Sequence, residues 1–115
     1  MFPAVLFFVS SKQEIILLGA GGHCKSCIEV ILGISQYSIL GIIDKVGSST
    51  KHILGHNVMG TDKDLESLLF RCSDVLVTVG QIKSPEIRIS LFELAKSFGF
   101  NFAVIKSHLS YFFNS

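Results

Sequence analysis

No apolar run in this 115-residue chain approaches the roughly 20 residues needed to cross a bilayer. Basic clusters are missing too. Ten lysines and arginines are scattered against nine acidic residues, for a formal net charge of +1. Binding to duplex nucleic acid would need a basic face, so neither nucleic acid nor a membrane is an expected partner. Charged residues make up only 17% of the chain and hydrophobic ones 49%, a mixture too apolar for disorder. Internal repeats and low-complexity tracts are lacking. The length suits one domain with one core.

Other absences narrow the chemistry. Pro3 to Val9 (PAVLFFV) is apolar, but no basic residue precedes it and no small-residue cleavage site follows, both of which a secretory signal requires. Residues 1–11 read as an apolar N-terminal extension or an extra edge strand, ahead of a domain over 12–110. The cysteines number three, an odd count that suits reduced thiols in the cytoplasm. Cys24 and Cys27 form a C-x-x-C, yet no second C-x-x-C or H-x-x-x-H completes a four-ligand zinc site. Small residues packing a helix against a sheet account for this pair better than redox chemistry does. His52 and His56 fall in loops with no assignable carboxylate, and His108 is near the end of the chain. With no Ser-His-Asp set, paired acids or metal constellation, neither a catalytic residue nor a metal site is expected.

What is present is a regular alternation of elements. Glu14 to Leu18 (EIILL) is a continuous apolar run, as expected of a strand buried on both faces. The turn Gly19-Ala20-Gly21-Gly22-His23 follows. From His23 to about Leu32, apolar residues at Cys24, Cys27, Ile28, Ile31 and Leu32 follow a 3.6-residue period and predict an amphipathic helix. Ser38 to Ile43 reads as a second buried strand ending at Asp44. A Gly/Ser-rich loop, Val46 to Lys51, leads to a short extended piece between Leu54 and Gly60.

Thr61 is a good N-cap, with Asp62 and Asp64 in the first turn, for a helix to about Cys72 burying Leu65, Leu68 and Leu69. Asp74 to Val79 reads as a third strand closed by Gly80. Ser84 caps a further helix with Pro85 at its first position and an apolar face of Ile87, Leu91, Leu94, Ala95 and Phe98, ended by Gly99. Asn101 to Ile105 is the fourth strand. This order implies right-handed crossovers and a small Rossmann-like three-layer α/β domain. Its sheet is expected to be mostly parallel and four-stranded, with the first strand between the second and the third.

Ligands of such sheets bind beyond the carboxyl ends of the strands, where Gly19 to His23, Asp44 and Gly80 all fall. Glycines at 19, 21 and 22 permit a tight turn and let backbone N–H groups approach an anion. The helix amino terminus behind them favours a phosphate. Against G-x-G-x-x-G the sixth position is Cys24, so the dinucleotide pattern is only partly met. Asp44, 25 residues after Gly19, suits the hydroxyls of a ribose, or is a solvated residue at a strand end. His23, where the dipole lowers proton affinity, either donates to a phosphate or sugar or caps its own loop.

Five segments carry a resemblance: IILLGAGGHCKSCIEVI (Ile15 to Ile31), GIIDK (Gly41 to Lys45), ILGHNVMGTDKDLESLL (Ile53 to Leu69), VTVGQIKSPEIR (Val77 to Arg88) and GFNFAVIKSHLS (Gly99 to Ser110). From about Gln13 onward the chain resembles the N-terminal domain of bacterial sugar acetyltransferases, the group of sialic acid O-acetyltransferases and the acetyltransferase of UDP-bacillosamine synthesis. The resemblance implies a Rossmann-like domain that holds a sugar or nucleotide sugar. It also implies a C-terminal left-handed β-helix of hexapeptide repeats that binds acetyl-CoA, carries the catalytic histidine and forms trimers. Substrate-binding positions carried over are Gly19, Gly21, Gly22, His23, Asp44, Lys45 and Gly80.

The departures are Cys24 in place of the family's glycine, Gln81 in place of Asn or Asp, and Lys106-Ser107-His108-Leu109-Ser110 in place of His-Pro-Ser-Ala. No hexapeptide repeat occurs. Residues 111–115 then read as the start of a joint to the β-helix, with Tyr111, Phe112 and Phe113 either packing on it or forming a frayed tail. The expectation is a cytoplasmic substrate-binding domain, monomeric or weakly oligomeric by itself, with no cofactor of its own and no acetyl transfer by these residues alone. The alternatives are an NAD(P)-binding domain of an oxidoreductase and a non-catalytic scaffold or regulatory subunit.

Overall fold

The computed structural model describes residues 12–34, 36–79 and 85–103. The expected central strand is β1, Gln13–Leu18, whose apolar residues alternate between the two faces of the sheet. Ile15 and Leu17 meet Cys24, Ile28 and Ile31 of helix α1 (Gly22–Ile34), together with Ile42 of strand β2 (Tyr37–Asp44). Ile16 and Leu18 pack on the opposite face with Ile43, Leu65, Val75, Ala95 and Phe100. Burial on both faces is why β1 shows no polar alternation in sequence. Three layers result. Helix α1 lies on one side of the sheet, and the short α2 (Leu65–Leu68) and α3 (Glu86–Phe98) supply Leu65 and Ala95 to the other.

Among the described residues the sheet has six strands, not the four expected. The two additions are β3 (His52–Ile53) and β4 (His56–Thr61), and with β5 (Asp74–Val77) and β6 (Asn101–Phe102) the spatial order is β3-β4-β2-β1-β5-β6. All neighbours are parallel except β3 and β4. The extended piece at 54–60 therefore divides. Leu54 (φ 50) and Gly55 (φ 83) form a two-residue turn with both φ angles positive, which folds His52 and Ile53 back onto Asn57 and His56. A leucine in that conformation is uncommon and costs on the order of 1 kcal/mol, so leucine did not mark the turn in sequence.

Two register shifts follow. Between β1 and β2 the pairing passes from Ile15–Ile39 to Ile16–Gly41, and between β2 and β4 from Ile42–Val58 to Ile43–Gly60. Leu40 and Met59 are the unpaired extra residues. A Cβ at Gly41 would collide with the Met59 thioether, so glycine there lets Met59 lie across β2.

The helices differ from expectation in detail. Thr61 does cap its helix, accepting from the Lys63 N–H at 3.3 Å while Asp64 accepts from the Thr61 N–H at 2.8 Å. The segment is shorter than predicted, however: a 3-10 turn over Asp62–Asp64, then α2 to Leu68. Only Leu65 is fully buried in it, with Leu68 and Leu69 partly so. Leu32 is 59% exposed and Ile87 65% exposed, so both leave the apolar stripes assigned to them. Pro85 stands at the N-cap of α3, one position earlier than expected. Gly99 ends α3 at φ +100, where the Phe100 N–H donates to the Ala95 carbonyl at 3.1 Å. Gly80, Gln81, Ser84, the apolar stretch Pro3 to Val9, the end of the predicted fourth strand and residues 106–115 lie outside the described residues.

Candidate functional site

At the carboxyl end of β1 the chain must turn sharply into α1, and Gly19 makes the turn at φ +121. A Cβ there would collide with the Val79 side chain and stand 3.3 Å from the Val79 backbone nitrogen. The turn is held from both sides. The Gly19 N–H donates to the Ile43 carbonyl at 2.8 Å, and the Thr78 N–H donates to the Leu18 carbonyl at 2.9 Å. The Thr78 hydroxyl donates to the Gly19 carbonyl at 2.7 Å in a fully buried bond. Thr78 is the buried polar residue among the described residues. Sequence reasoning missed this role, because a threonine within DVLVTV reads as an ordinary strand residue.

Gly21 and Gly22 differ from Gly19. Neither has a positive φ, both are exposed, and no atom of the described residues lies within 4 Å of where either Cβ would be. The fold itself does not demand glycine at these two positions. What their lack of side chains provides is open space over the first N–H groups of α1. That helix carries no acidic residue in its first turn, so no carboxylate of its own occupies its positive end.

Asp44 closes one side of the turn. It ends β2, and its Oδ1 accepts from the Ala20 N–H at 3.3 Å. Its charge is felt at Cys24, where it joins burial in raising the thiol pKa. Lys45 is exposed and opens the next turn, its carbonyl accepting from the Ser48 N–H at 3.2 Å. His23 is half-buried, and burial, followed by the nearby Arg88 charge, holds its pKa below 6.5. The direction matches the sequence expectation, but the causes are desolvation and an arginine. That arginine, in the first turn of α3, is the second residue sequence reasoning left out, since nothing in KSPEIR tells which helix it approaches. The structure thus brings Gly19, Gly21, Gly22, His23 and Asp44 to one edge of the sheet, with Lys45 adjoining. Gly80 lies outside the described residues.

The C-x-x-C pair is not poised for redox chemistry. Cys24 and Cys27 are buried free thiols. Burial, with Cys24 next and against the pull of Arg88, pushes Cys27 up to about 12. Burial also raises Cys24, opposed by a hydrogen bond with Thr78. A thiol-directed reagent at neutral pH should therefore label neither cysteine in the folded chain and both in concentrated guanidinium chloride, as read by mass spectrometry. Rapid native labelling would contradict the buried assignment. The same groups predict alkaline sensitivity. The unfolded Cys27 thiol ionises near its reference value of 9.0 and the folded one near about 12. Folding stability is therefore lost as pH rises through that window.

The PglD N-terminal domain profile matches residues 14–94, well over half of the sequence. The chain belongs to the PglD N-terminal domain family. Two solved structures of the acetyltransferase domain of PglB from Neisseria gonorrhoeae FA1090 are similar to this PglD-type domain at 29% identity. One, in complex with acetyl coenzyme A, matches over 78% of this chain and 42% of its own with a TM-score of 0.61. The other matches over 82% and 44% with a TM-score of 0.66. The PglD-type chain thus spans less than half the length of those relatives. UDP-D-quinovosamine 4-dehydrogenase from Vibrio fischeri, at 21% identity, 74% of each chain and a TM-score of 0.54, shares the fold. No curated protein sequence gave a significant match. Among the described residues, no helix is long and apolar enough to cross a membrane, and no group of three or more His, Cys, Asp or Glu residues could hold a metal ion.

Proposed function

We propose that this chain is the nucleotide-sugar-binding domain of a cytoplasmic sugar acetyltransferase that acts in surface-glycan or sialic acid synthesis. The observation that carries the reading is the space over Gly21 and Gly22 that the described residues leave open, at the amino terminus of a 13-residue helix with no acidic residue in its first turn. An anion fits there because backbone N–H groups and the helix dipole both face it. Asp44, with Oδ1 held by Ala20, presents its second oxygen as an acceptor for nucleoside hydroxyls. Lys45 and Gly80 complete the proposed contacts. Acetyl-CoA binding, the catalytic histidine and trimer formation belong, on this reading, to a β-helix domain joined after residues 111–115. The domain proper then runs over 12–110, with residues 1–11 an extension.

The PglB relative held acetyl coenzyme A, which supports an acetyl donor for proteins of this kind. Binding, not transfer, is the task assigned to the present residues. Calorimetric titration with UDP-sugars, CMP-sugars and NADH tests the reading. Saturable binding of at least one nucleotide sugar, stronger than that of NADH, is expected. Binding of NADH alone, or of none at millimolar concentration, would overturn it.

A further inference from the structure

Sulfur in the described residues is carried by Cys24, Cys27, Cys72 and Met59. The three thiols are free and buried, with at most 7% of any cysteine exposed. Met59 is 41% exposed. An oxidant in the surrounding water therefore meets the thioether before it meets any thiol, and a thioether needs no ionisation to react.

Met59 also holds an unusual place in the sheet. It is the extra residue of β4 where pairing with β2 passes from Ile42–Val58 to Ile43–Gly60, so it lacks a ladder partner on that strand. Its thioether lies against Gly41 of β2, in the space where any other residue would place its Cβ, with Met59 Cγ 3.1 Å from that position. Gly41 and Gly60 have no side chains to offer, so Met59 lying on Gly41 supplies apolar contact between the two strands there. On its other side β4 meets only the two-residue strand β3. The β3–β4 hairpin is thus held to the rest of the sheet through β2.

We propose that Met59 is a peroxide-sensitive modification site whose oxidation loosens the β3–β4 hairpin from β2. The sulfur lone pair attacks one oxygen of hydrogen peroxide, and an S–O bond forms as the O–O bond breaks. The departing hydroxide takes the proton left on the transferred oxygen and leaves as water. The thioether loses two electrons and the peroxide gains them. The product sulfoxide is larger and polar. It does not keep the close apolar contact with Gly41, and no ladder bond to β2 at this residue compensates. The step needs no ligand at the glycine turn, so the inference stands apart from the nucleotide-sugar reading.

The test treats the full chain with hydrogen peroxide at neutral pH, native and in concentrated guanidinium chloride, and locates the modified residues by peptide mass spectrometry. Native Met59 is expected to gain one oxygen within about tenfold of its unfolded rate, while the three cysteines are oxidised only after unfolding. Amide hydrogen exchange then compares the oxidised and reduced chains. The β4 amides should exchange at least about tenfold faster after oxidation, and those of β1 at an unchanged rate. Methionine sulfoxide reductases should restore the slower exchange. Met59→Leu keeps an apolar side chain over Gly41 without an oxidisable sulfur, so peroxide should leave its β4 exchange unchanged. Native oxidation of a cysteine ahead of Met59 overturns the inference, as does an oxidised Met59 with unaltered β4 exchange. A peroxide response of β4 in Met59→Leu, or faster exchange throughout β1 as well, overturns it too.

Discussion

Replacing Gly19 by alanine is expected to destabilise the protein by roughly 3 kcal/mol, combining a strained positive φ with overpacking against a neighbouring strand end. The two contributions are separable in the structure. The backbone sits at φ +121, a conformation that L residues rarely adopt. The new methyl group would collide with the Val79 side chain and press on the Val79 backbone nitrogen at 3.3 Å. The side chain could turn aside. The backbone cannot, because the Thr78 N–H and hydroxyl anchor that strand end to Leu18 and Gly19. Urea denaturation of wild type and variant measures the loss. Gly21→Ala is the comparison, since a Cβ there meets open space and stability should change by less than about 0.5 kcal/mol. If the two variants were equally stable, the account of Gly19 would fail.

Asp44→Ala should reduce nucleotide affinity by roughly 30-fold or more, because hydrogen bonds to a charged acceptor contribute about 1.5–3 kcal/mol each. In the proposed site one carboxylate oxygen is held by the Ala20 N–H at 3.3 Å, so the group is oriented before the ligand arrives. Losing that long bond should cost folding stability only about 1 kcal/mol. The variant should therefore remain folded while binding UDP poorly, as calorimetry and urea denaturation together would show. Unchanged affinity would leave Asp44 as an anchor of the turn and nothing more.

The site divides between what the residue order reveals and what packing decides. The turn at Gly19–His23 was readable because three local signals coincide: a strand buried on both faces, glycines, and a helix period beginning at once. Thr61 and Gly99 were readable for the same reason, since a cap and a left-handed C-terminal residue are set by neighbours within one turn. The hairpin of β3 and β4 was not readable. Its strands are too short and polar to show alternation, and its turn uses Leu54 in a conformation that leucine seldom adopts.

Leu32 and Ile87 satisfy the helical period yet face outward. Periodicity locates a stripe, but not how wide a surface the opposing layer covers. Gly19, Gly21 and Gly22 look equivalent in sequence, and only the neighbouring chain separates them. The first is imposed by Val79, while the others leave space.

The sequence by itself determined a parallel α/β sheet with a glycine turn between β1 and α1 and an acid ending β2, because these follow from hydrophobic period and turn chemistry over short spans. Only the tertiary structure decided that Thr78 locks the turn and that the cysteine pair is buried and protonated. Thr78 stands 59 positions from Gly19 in the chain, and the cysteine pair is buried only once α1 has packed on its face of the sheet.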